Sequence, residues 1–240
     1  TPVHLESSRM AMLRSGSWQV FIHYGQIARS HSQREALNYS ASIGEATVTH
    51  DPGTVGYGSP LHRGYYTRGL AHNVPLIDGE GQEGHDRGEL LEFAPARVRA
   101  AQPRYRPGVR AERELAIEAA TLRDTVTVEC AAGPRRLGLA FHLQGRTRLP
   151  EGFWPEADFG RGRPEEFAQW SEVRGGRFRD RVEFEAEVDL VGGDGERRGD
   201  AHHASRGAGA HDVSGQAELE RAVGDAVGER QDGESSRGDQ

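Results

Sequence analysis

The chain has 240 residues, of which 35% are apolar and 28% charged, and its formal net charge is −7. No stretch approaches the roughly 20 apolar residues that a membrane-spanning helix needs, and the acidic balance disfavours nucleic-acid binding, which requires a basic face. The single cysteine, Cys130, excludes an internal disulfide framework and a cysteine-rich zinc site. We therefore expect no membrane span and no nucleic-acid partner. The first residues lack the features of a signal peptide and no Met precedes them, so we expect the chain to begin inside a longer protein.

Apolar and polar residues alternate in several stretches of the first 191 residues. In chain order these are residues 18–24, 37–43, 109–119, 125–130, 137–143 and 182–190. Alternation with a period of two is typical of a half-buried strand. The Ala-Ala-Gly-Pro stretch at 131–134 predicts a hairpin between the strands that flank it. Short strands spaced roughly ten residues apart, with Gly/Pro turns between them, indicate an antiparallel β-sandwich. We predict an all-β fold over residues 1–191.

Residues 51–82 interrupt this strand pattern. They are dense in Gly, Tyr, Arg and His and contain few aliphatic residues. Loops of this kind between good strands often carry function, and Tyr and Arg side chains stack on and clamp polar ligands such as sugars. We interpret the segment as a binding surface; the alternative is a solvated connector.

Residues 192–240 differ in composition from the rest of the chain. No aromatic residue follows Phe184, and the last 49 residues are rich in Gly, Arg, Asp and Glu. Such a segment buries too little apolar surface to offset the entropy lost on ordering, so we predict a disordered tail.

Seven of the 11 histidines lie between His4 and His85. Histidine titrates near neutral pH and can transfer a proton, balance a carboxylate or bind a metal. One histidine among strands is usually a structural residue whose ring nitrogens are hydrogen-bonded. Seven histidines near a Tyr-rich loop favour a role in proton transfer or metal binding for some of them.

Five motifs follow one another in the first half of the chain. They are His-Ser-Gln-Arg-Glu-Ala-Leu-Asn at 31–38, Asp-Pro-Gly-Thr at 51–54, Gly-Tyr-Gly-Ser-Pro at 56–60, Ala-His-Asn-Val at 71–74 and Asp-Gly-Glu-Gly-Gln at 78–82. In order and approximate spacing they resemble the C-terminal β-sandwich domain of the heparinase II/III-like polysaccharide lyases, with the oligo-alginate lyases nearest in character. Residues 113–115 and 141–145 continue the resemblance.

The resemblance implies a carbon-oxygen lyase that cleaves uronic-acid-containing glycans, such as alginate or heparin and heparan sulfate, by β-elimination. It implies that His31 contributes to catalysis, with an ordinary structural histidine at a strand entry as the alternative. The substrate-lining residues expected from the loop are Tyr57, Tyr65, Tyr66, Arg68 and Asn73. In the family an α/α-toroid domain completes the site, and no part of this chain has the pattern of such a domain. We therefore expect the isolated chain to be an incomplete and inactive part of the enzyme.

The resemblance also implies a zinc site built from the positions of Gln33, Asp51 and His72. Gln33 stands where the family has a histidine, and glutamine is a poor zinc ligand. Glu35 likewise replaces an aspartate. Zinc binding, with His50 or a water completing the site, and a metal-free pair of Asp51 and His72 both stay open.

Two classes of function follow from these patterns. The first is a lyase fragment acting on an acidic polysaccharide, in a parent protein of the periplasm, the cell envelope or the extracellular space, as is usual for the family. The second is a non-catalytic carbohydrate-binding or structural sandwich. The intact His31, Asp51 and His72 favour the first, whereas the changes at Gln33 and Glu35 favour the second.

Overall fold

A computed structural model describes residues 1–28, 30–131, 133–149, 151–156, 161–176, 185–188 and 211–213. Antiparallel strands dominate these residues, which confirms the prediction of an all-β fold. Helical structure among them is confined to short turns, at Glu6–Ser8, His62–Tyr66, Gly69–Ala71 and Glu165–Gln169. None of these turns is long and apolar enough to cross a membrane.

Two antiparallel sheets contain most of the strands. The first sheet has the order β1-β2-β3-β4-β5, with strands at Val3–Leu5, Met10–Ser15, Trp18–His23, Asn38–Ile43 and Ala46–Thr49. After β6 (Pro75–Ile77), the second sheet is a meander of β7 (Glu89–Ala94), β8 (Arg97–Arg106), β9 (Val109–Glu118) and β10 (Thr121–Cys130).

Smaller sheets follow along the chain. Their strands are β11 (Leu137–Leu139), β12 (Arg146–Arg148), β13 (Trp154–Pro155), β14 (Arg174–Gly175), β15 (Glu185–Val188) and β16 (His211–Val213). Strand β11 pairs with β6, β13 pairs with β14, and β15 lies between β12 and β16.

The two large sheets share one hydrophobic core, as expected of a sandwich. Val20 and Ile22 of β3 are fully buried in the same cluster as Val98 of β8 and Leu115 of β9. Each side chain of this kind stabilises the fold by about 1.5–3 kcal/mol through its burial. The alternation predicted for residues 18–24 is confirmed, because Trp18, Val20, Ile22 and Tyr24 are all buried.

The hairpin predicted at residues 131–134 is wrong. Strand β10 pairs along all ten of its residues with β9, from Thr121 opposite Glu118 to Cys130 opposite Val109. Strand β11 pairs instead with β6, and the amide of Arg136 donates to Asp78 Oδ1 at 3.0 Å. The local turn signal was misleading because contacts distant in sequence, the pairing of β11 with β6 and the hydrogen bond of Arg136 to Asp78, direct the chain away from β10.

The segment 51–82 divides into two parts. Residues 54–68 are exposed or half-buried, as a binding surface requires, but residues 69–77 are buried throughout. Leu70, Val74 and Leu76 form a second hydrophobic cluster with Ala140 and Phe167. The interpretation of the whole segment as surface was therefore wrong for its second half, whose few aliphatic residues suffice for a small core.

The boundary predicted between residues 191 and 192 stays a prediction. Within the strand predicted at 182–190, Glu185–Val188 is a strand, and the residues on either side lie outside the described part. The predicted disorder of 192–240 also falls on residues outside the description, except for the short strand β16.

Candidate functional site

Hydrogen bonds join four of the five segments that carry the motifs, namely 31–38, 51–54, 71–74 and 78–82. The buried side chain of Gln82 accepts a hydrogen bond from the amide of Ala36 at 2.5 Å and exchanges hydrogen bonds with Gln26. Asn38 Nδ2 donates to Asp51 Oδ2 at 2.6 Å, and Asn38 Oδ1 accepts from the amide of Asn73 at 3.0 Å. Residues far apart in the sequence are thus tied together by buried polar side chains, which are stabilising only when their partners are present.

The backbone of the 31–38 segment turns sharply at two points. His31 has a φ of 59° and Leu37 a φ of 69°, which lie in the left-handed region that costs side-chain-bearing residues energy. Leu37 is fully buried, so packing holds its strained conformation in place. His31 is exposed.

His31 and Tyr57 form a hydrogen-bonded pair. His31 Nδ1 lies in hydrogen-bond contact with the Tyr57 hydroxyl, and the two rings meet edge-on. The structure therefore brings together the predicted catalytic histidine and one predicted substrate-lining tyrosine. Both side chains are exposed, Tyr57 to 68%, so a ligand can reach them.

A cavity of about 260 Å³ opens beside this pair. It is smaller than the roughly 300–1,000 Å³ of typical ligand pockets, so it fits one unit or one substituent of a chain-like ligand. Its walls come from the 31–33 turn and from the loop that follows β5, namely His31, Ser32, Gln33, Thr54, Tyr57, His62 and Arg63.

His62 also packs against Tyr57. Its ring lies 4.6 Å from the Tyr57 ring, between centroids, in an edge-on arrangement. Its Nδ1 lies 3.3 Å from Thr54 Oγ1 and 3.2 Å from the Val55 carbonyl oxygen. His62 begins the single π-helical turn His62–Tyr66, an irregularity that is frequent at functional sites.

The remaining predicted substrate residues do not line this cavity. Tyr65 accepts a hydrogen bond from Trp170 Nε1 at 3.3 Å and packs edge-on against Tyr66. Burial raises the pKa of the Tyr65 hydroxyl, although the hydrogen bond from Trp170 opposes the change. Arg68 Nε donates to the Arg63 carbonyl at 3.0 Å and so fixes the backbone beneath the cavity wall.

Asn73 is an interior residue, so its assignment to the substrate face was wrong. It is fully buried, and its Nδ2 donates to the carbonyl oxygens of Tyr39, at 2.9 Å, and His50, at 3.2 Å. Its Oδ1 accepts from the amide of His142 at 2.6 Å. Every polar atom of the side chain is thus used to join backbone segments.

Asp51 and His72 form a well-supported pair. Asp51 Oδ2 lies 2.7 Å from His72 Nδ1, and its Oδ1 accepts from the Gly53 amide at 2.7 Å. Burial opposes ionisation of the Asp51 carboxyl, but the hydrogen bonds from His72, Gly53 and Asn38 outweigh it and hold the pKa of Asp51 below its usual value. The Tyr66 carbonyl lies 3.0 Å from His72 Nε2. Both of these oxygens only accept, so the two hydrogen bonds together use an N–H on each ring nitrogen of His72.

A set of possible metal ligands surrounds this pair. One ligand atom each from Glu35, Asp51 and His72 lies within 4.8 Å of the others. Two carboxylates and an imidazole suit zinc, and a carbonyl partner on the far ring nitrogen is the usual support for a metal-bound histidine. Gln33, which the sequence analysis counted among the zinc positions, donates from Nε2 to the Gly53 carbonyl at 3.2 Å.

Four cavity residues, Ser32, Thr54, His62 and Arg63, were missed in the sequence analysis, and the last two are the basic ones. His62 and Arg63 belong to the Tyr-rich loop. The sequence did not predict the backbone conformation of this loop, so it gave no sign that these two residues would line a cavity with His31. Trp170 was also missed, because it lies more than 100 residues from its partner Tyr65.

No family model matches this chain, and neither does any curated protein. Among solved structures, the chain is similar to a heparinase III gene product, with a TM-score of 0.45 and 14% sequence identity. The match covers 52% of this chain and 22% of that one. A form of the same product with methylated lysines gives a TM-score of 0.46 at 15% identity, with the same coverage. The chain thus matches less than a quarter of that protein's length, and a likeness of this degree does not establish an activity.

Proposed function

We propose that this chain is the β-sandwich part of a polysaccharide lyase that cleaves uronic-acid-containing glycans by β-elimination. The observation that carries the proposal is the exposed pair of His31 and Tyr57 at the rim of a small cavity. Proton transfer is the central difficulty of this reaction, and two hydrogen-bonded groups that can pass a proton between them address it.

The reaction itself needs no redox partner. The C5–H bond of the uronate breaks, its electron pair forms the C4=C5 double bond, and the C4–O bond to the leaving sugar breaks. The departing oxygen takes up a proton. In our proposal the Tyr57 oxygen accepts the C5 proton while its own hydroxyl proton passes to His31 Nδ1, and the pair then returns a proton to the leaving oxygen. Positioned acid–base groups of this kind contribute about 10²–10⁴-fold to a rate.

We further propose that Glu35, Asp51 and His72 hold a zinc ion near this site. The three ligands come from the 31–38 segment, the turn after β5 and the segment before β6. A bound zinc ion contributes its binding free energy to folding. It would fix these three segments relative to one another and thereby hold the segment that carries His31.

An activity assay tests the lyase proposal. This chain, and a longer parent protein where the gene encodes one, would be incubated with alginate, heparin, heparan sulfate and hyaluronan, while the ultraviolet absorbance of unsaturated uronate is followed. His31→Ala in the active protein should lower the rate by about 10²–10⁴-fold. The matched control is His85→Ala, because His85 is exposed and does not line the cavity. Equal rates for the wild type and His31→Ala would contradict the catalytic role.

The second candidate is a carbohydrate-binding module without catalysis. Exposed aromatic side chains favour it, because Tyr57 is 68% and Trp170 36% exposed and sugars stack on such rings. Saturable binding of oligosaccharides by the parent protein without any unsaturated product would favour the module over the lyase.

A further inference from the structure

The described lining of the cavity beside His31 and Tyr57 consists of basic and neutral side chains. Its ionisable lining residues are His31, His62, Arg63 and Tyr57, and no carboxylate belongs to its described lining. This contrasts with the whole chain, whose formal net charge is −7. A concave site with only basic and neutral groups attracts an anion.

Arg63 is the fixed positive charge of this cavity. It is exposed, and its guanidinium has no hydrogen-bond or ion-pair partner within the described part of the chain. Three arginines elsewhere in the chain are paired with carboxylates: Arg97 lies 2.6 Å from Glu114, Arg104 2.7 Å from Asp86, and Arg110 2.6 Å from Glu112. An arginine left unpaired at a cavity keeps its planar set of donors for a ligand.

We propose that Arg63 binds the carboxylate of the uronate unit that enters this cavity and so determines specificity for uronates. A guanidinium matches a carboxylate with two parallel hydrogen bonds. The bound carboxylate would lie in the same small cavity as the Tyr57 hydroxyl, and its neutralisation makes the adjacent C5 proton more acidic. His62 acts as a positioning residue, since its ring packs edge-on against the Tyr57 ring. This inference rests on the proposed function.

The backbone around Arg63 is fixed independently of its side chain. The Arg63 carbonyl accepts from Arg68 Nε at 3.0 Å, and the Thr67 amide donates to the His62 carbonyl at 3.0 Å. A change of the Arg63 side chain should therefore leave the loop in place. Arg63→Gln is a suitable test, and the melting temperature of the variant checks that the fold is intact.

The experiment is a binding titration of the chain with three probes. The first is an unsulfated oligomannuronate, and the second is the same oligosaccharide with its carboxyl groups reduced to alcohols. The third is an oligosaccharide of neutral sugars that carries sulfate esters and no carboxylates. The wild type should bind the oligomannuronate, and Arg63→Gln should weaken this binding by about 10–100-fold, as expected for a lost charge-assisted hydrogen bond. Arg63→Lys should lose less, because it keeps the charge but not the two parallel bonds.

The control variant is Arg14→Gln. Arg14 is an exposed arginine of β2 that does not line the cavity, so the change removes the same charge from another surface. Its affinity for oligomannuronate should stay within about twofold of the wild type, since surface charges away from a site are screened. The carboxyl-reduced probe should bind the wild type and Arg63→Gln equally weakly.

Several outcomes would overturn the proposal. The first two are an unchanged affinity of Arg63→Gln for oligomannuronate and an equal loss of affinity in Arg14→Gln. The other two are no measurable binding of oligomannuronate by the wild type and an Arg63-dependent preference for the sulfate-ester probe. The last would assign the site to sulfate esters. Failure of the Arg63 proposal is distinguishable from failure of the lyase proposal, because the titration needs no turnover. Arg63 can bind uronate even where His31→Ala leaves product formation unchanged. Equally, His31→Ala can abolish product formation where Arg63→Gln leaves the affinity unchanged.

Discussion

Arg113 is a buried charge that joins two segments of the candidate site, 31–38 and 71–74. It lies on β9 with no exposed surface, and its Nε and Nη2 donate to the two carboxylate oxygens of Asp124 at 2.8 and 2.6 Å. Its Nη1 donates to the Leu37 carbonyl at 2.7 Å and also to the Asn73 carbonyl. The guanidinium carbon lies 4.4 Å from the centre of the Tyr39 ring.

We predict that Arg113→Met lowers the free energy of unfolding by about 3–5 kcal/mol, the usual cost of removing one partner of a buried ion pair. The reason is that the substitution removes the two Arg113 donors from the buried Asp124 carboxylate, whose charge is then uncompensated, and the Nη1 donor from two carbonyl oxygens. Methionine replaces most of the apolar volume, so lost packing is a minor part of the effect. The double variant Arg113→Met/Asp124→Leu should regain part of the loss, because it also removes the unpaired charge.

Urea unfolding followed by far-ultraviolet circular dichroism measures this prediction. The control is Arg123→Met, which breaks the exposed pair of Arg123 and Glu118, with side chains 55% and 56% exposed. That change should cost at most about 1 kcal/mol. A loss below 1 kcal/mol for Arg113→Met, or a double variant less stable than the single one, would refute the reasoning.

Three further predictions concern the segments around the site. The depressed pKa of Asp51 contributes stability that is present above its unfolded-state pKa of about 3.9 and lost as pH falls toward its folded-state pKa. Asp51→Asn should therefore be less stable than the wild type at pH 7, with a gap that narrows below about pH 4 in urea unfolding; a gap independent of pH would contradict the assignment. Gly69→Ala should cost about 1–3 kcal/mol by overpacking, because a Cβ at Gly69 meets the backbone of Gly81, whereas a Cβ at Gly58 meets nothing within 4 Å; equal melting temperatures for Gly69→Ala and Gly58→Ala would be inconsistent with this packing. Elemental analysis should show that Glu35→Gln lowers the zinc retained after purification more than Gln33→Ala does, and equal retention would count against Glu35 as a ligand.

The architecture was largely predictable from the sequence because burial imposes a period of two on strands. Residues 18–24 show this best, since each alternate side chain faces the shared core. Strand pairing was not predictable in the same way. The turn residues at 131–134 allow a hairpin, but pairing also depends on strands distant in sequence, and β11 pairs with β6, with Leu137 opposite Ile77.

The candidate site was predictable in part. The motifs located Asp51 and His72, which do pair, and His31 and Tyr57, which do meet. Asn73 was misplaced because an asparagine in a polar loop can serve either a ligand or the backbone, and only its burial distinguishes the two uses. The cavity position of Arg63 depends on the π-helical turn that it occupies, and the sequence has no pattern specific to that turn.

In our proposal the pair of His31 and Tyr57 performs proton transfer in a uronate β-elimination. The most direct test is to compare the rate of unsaturated-uronate formation by the wild type, His31→Ala and Tyr57→Phe in the shortest form of the protein that has activity. We expect both substitutions to lower the rate by about 10²–10⁴-fold while oligomannuronate binding changes little. Unchanged rates in both variants, or no unsaturated product from any form of the protein, would contradict it.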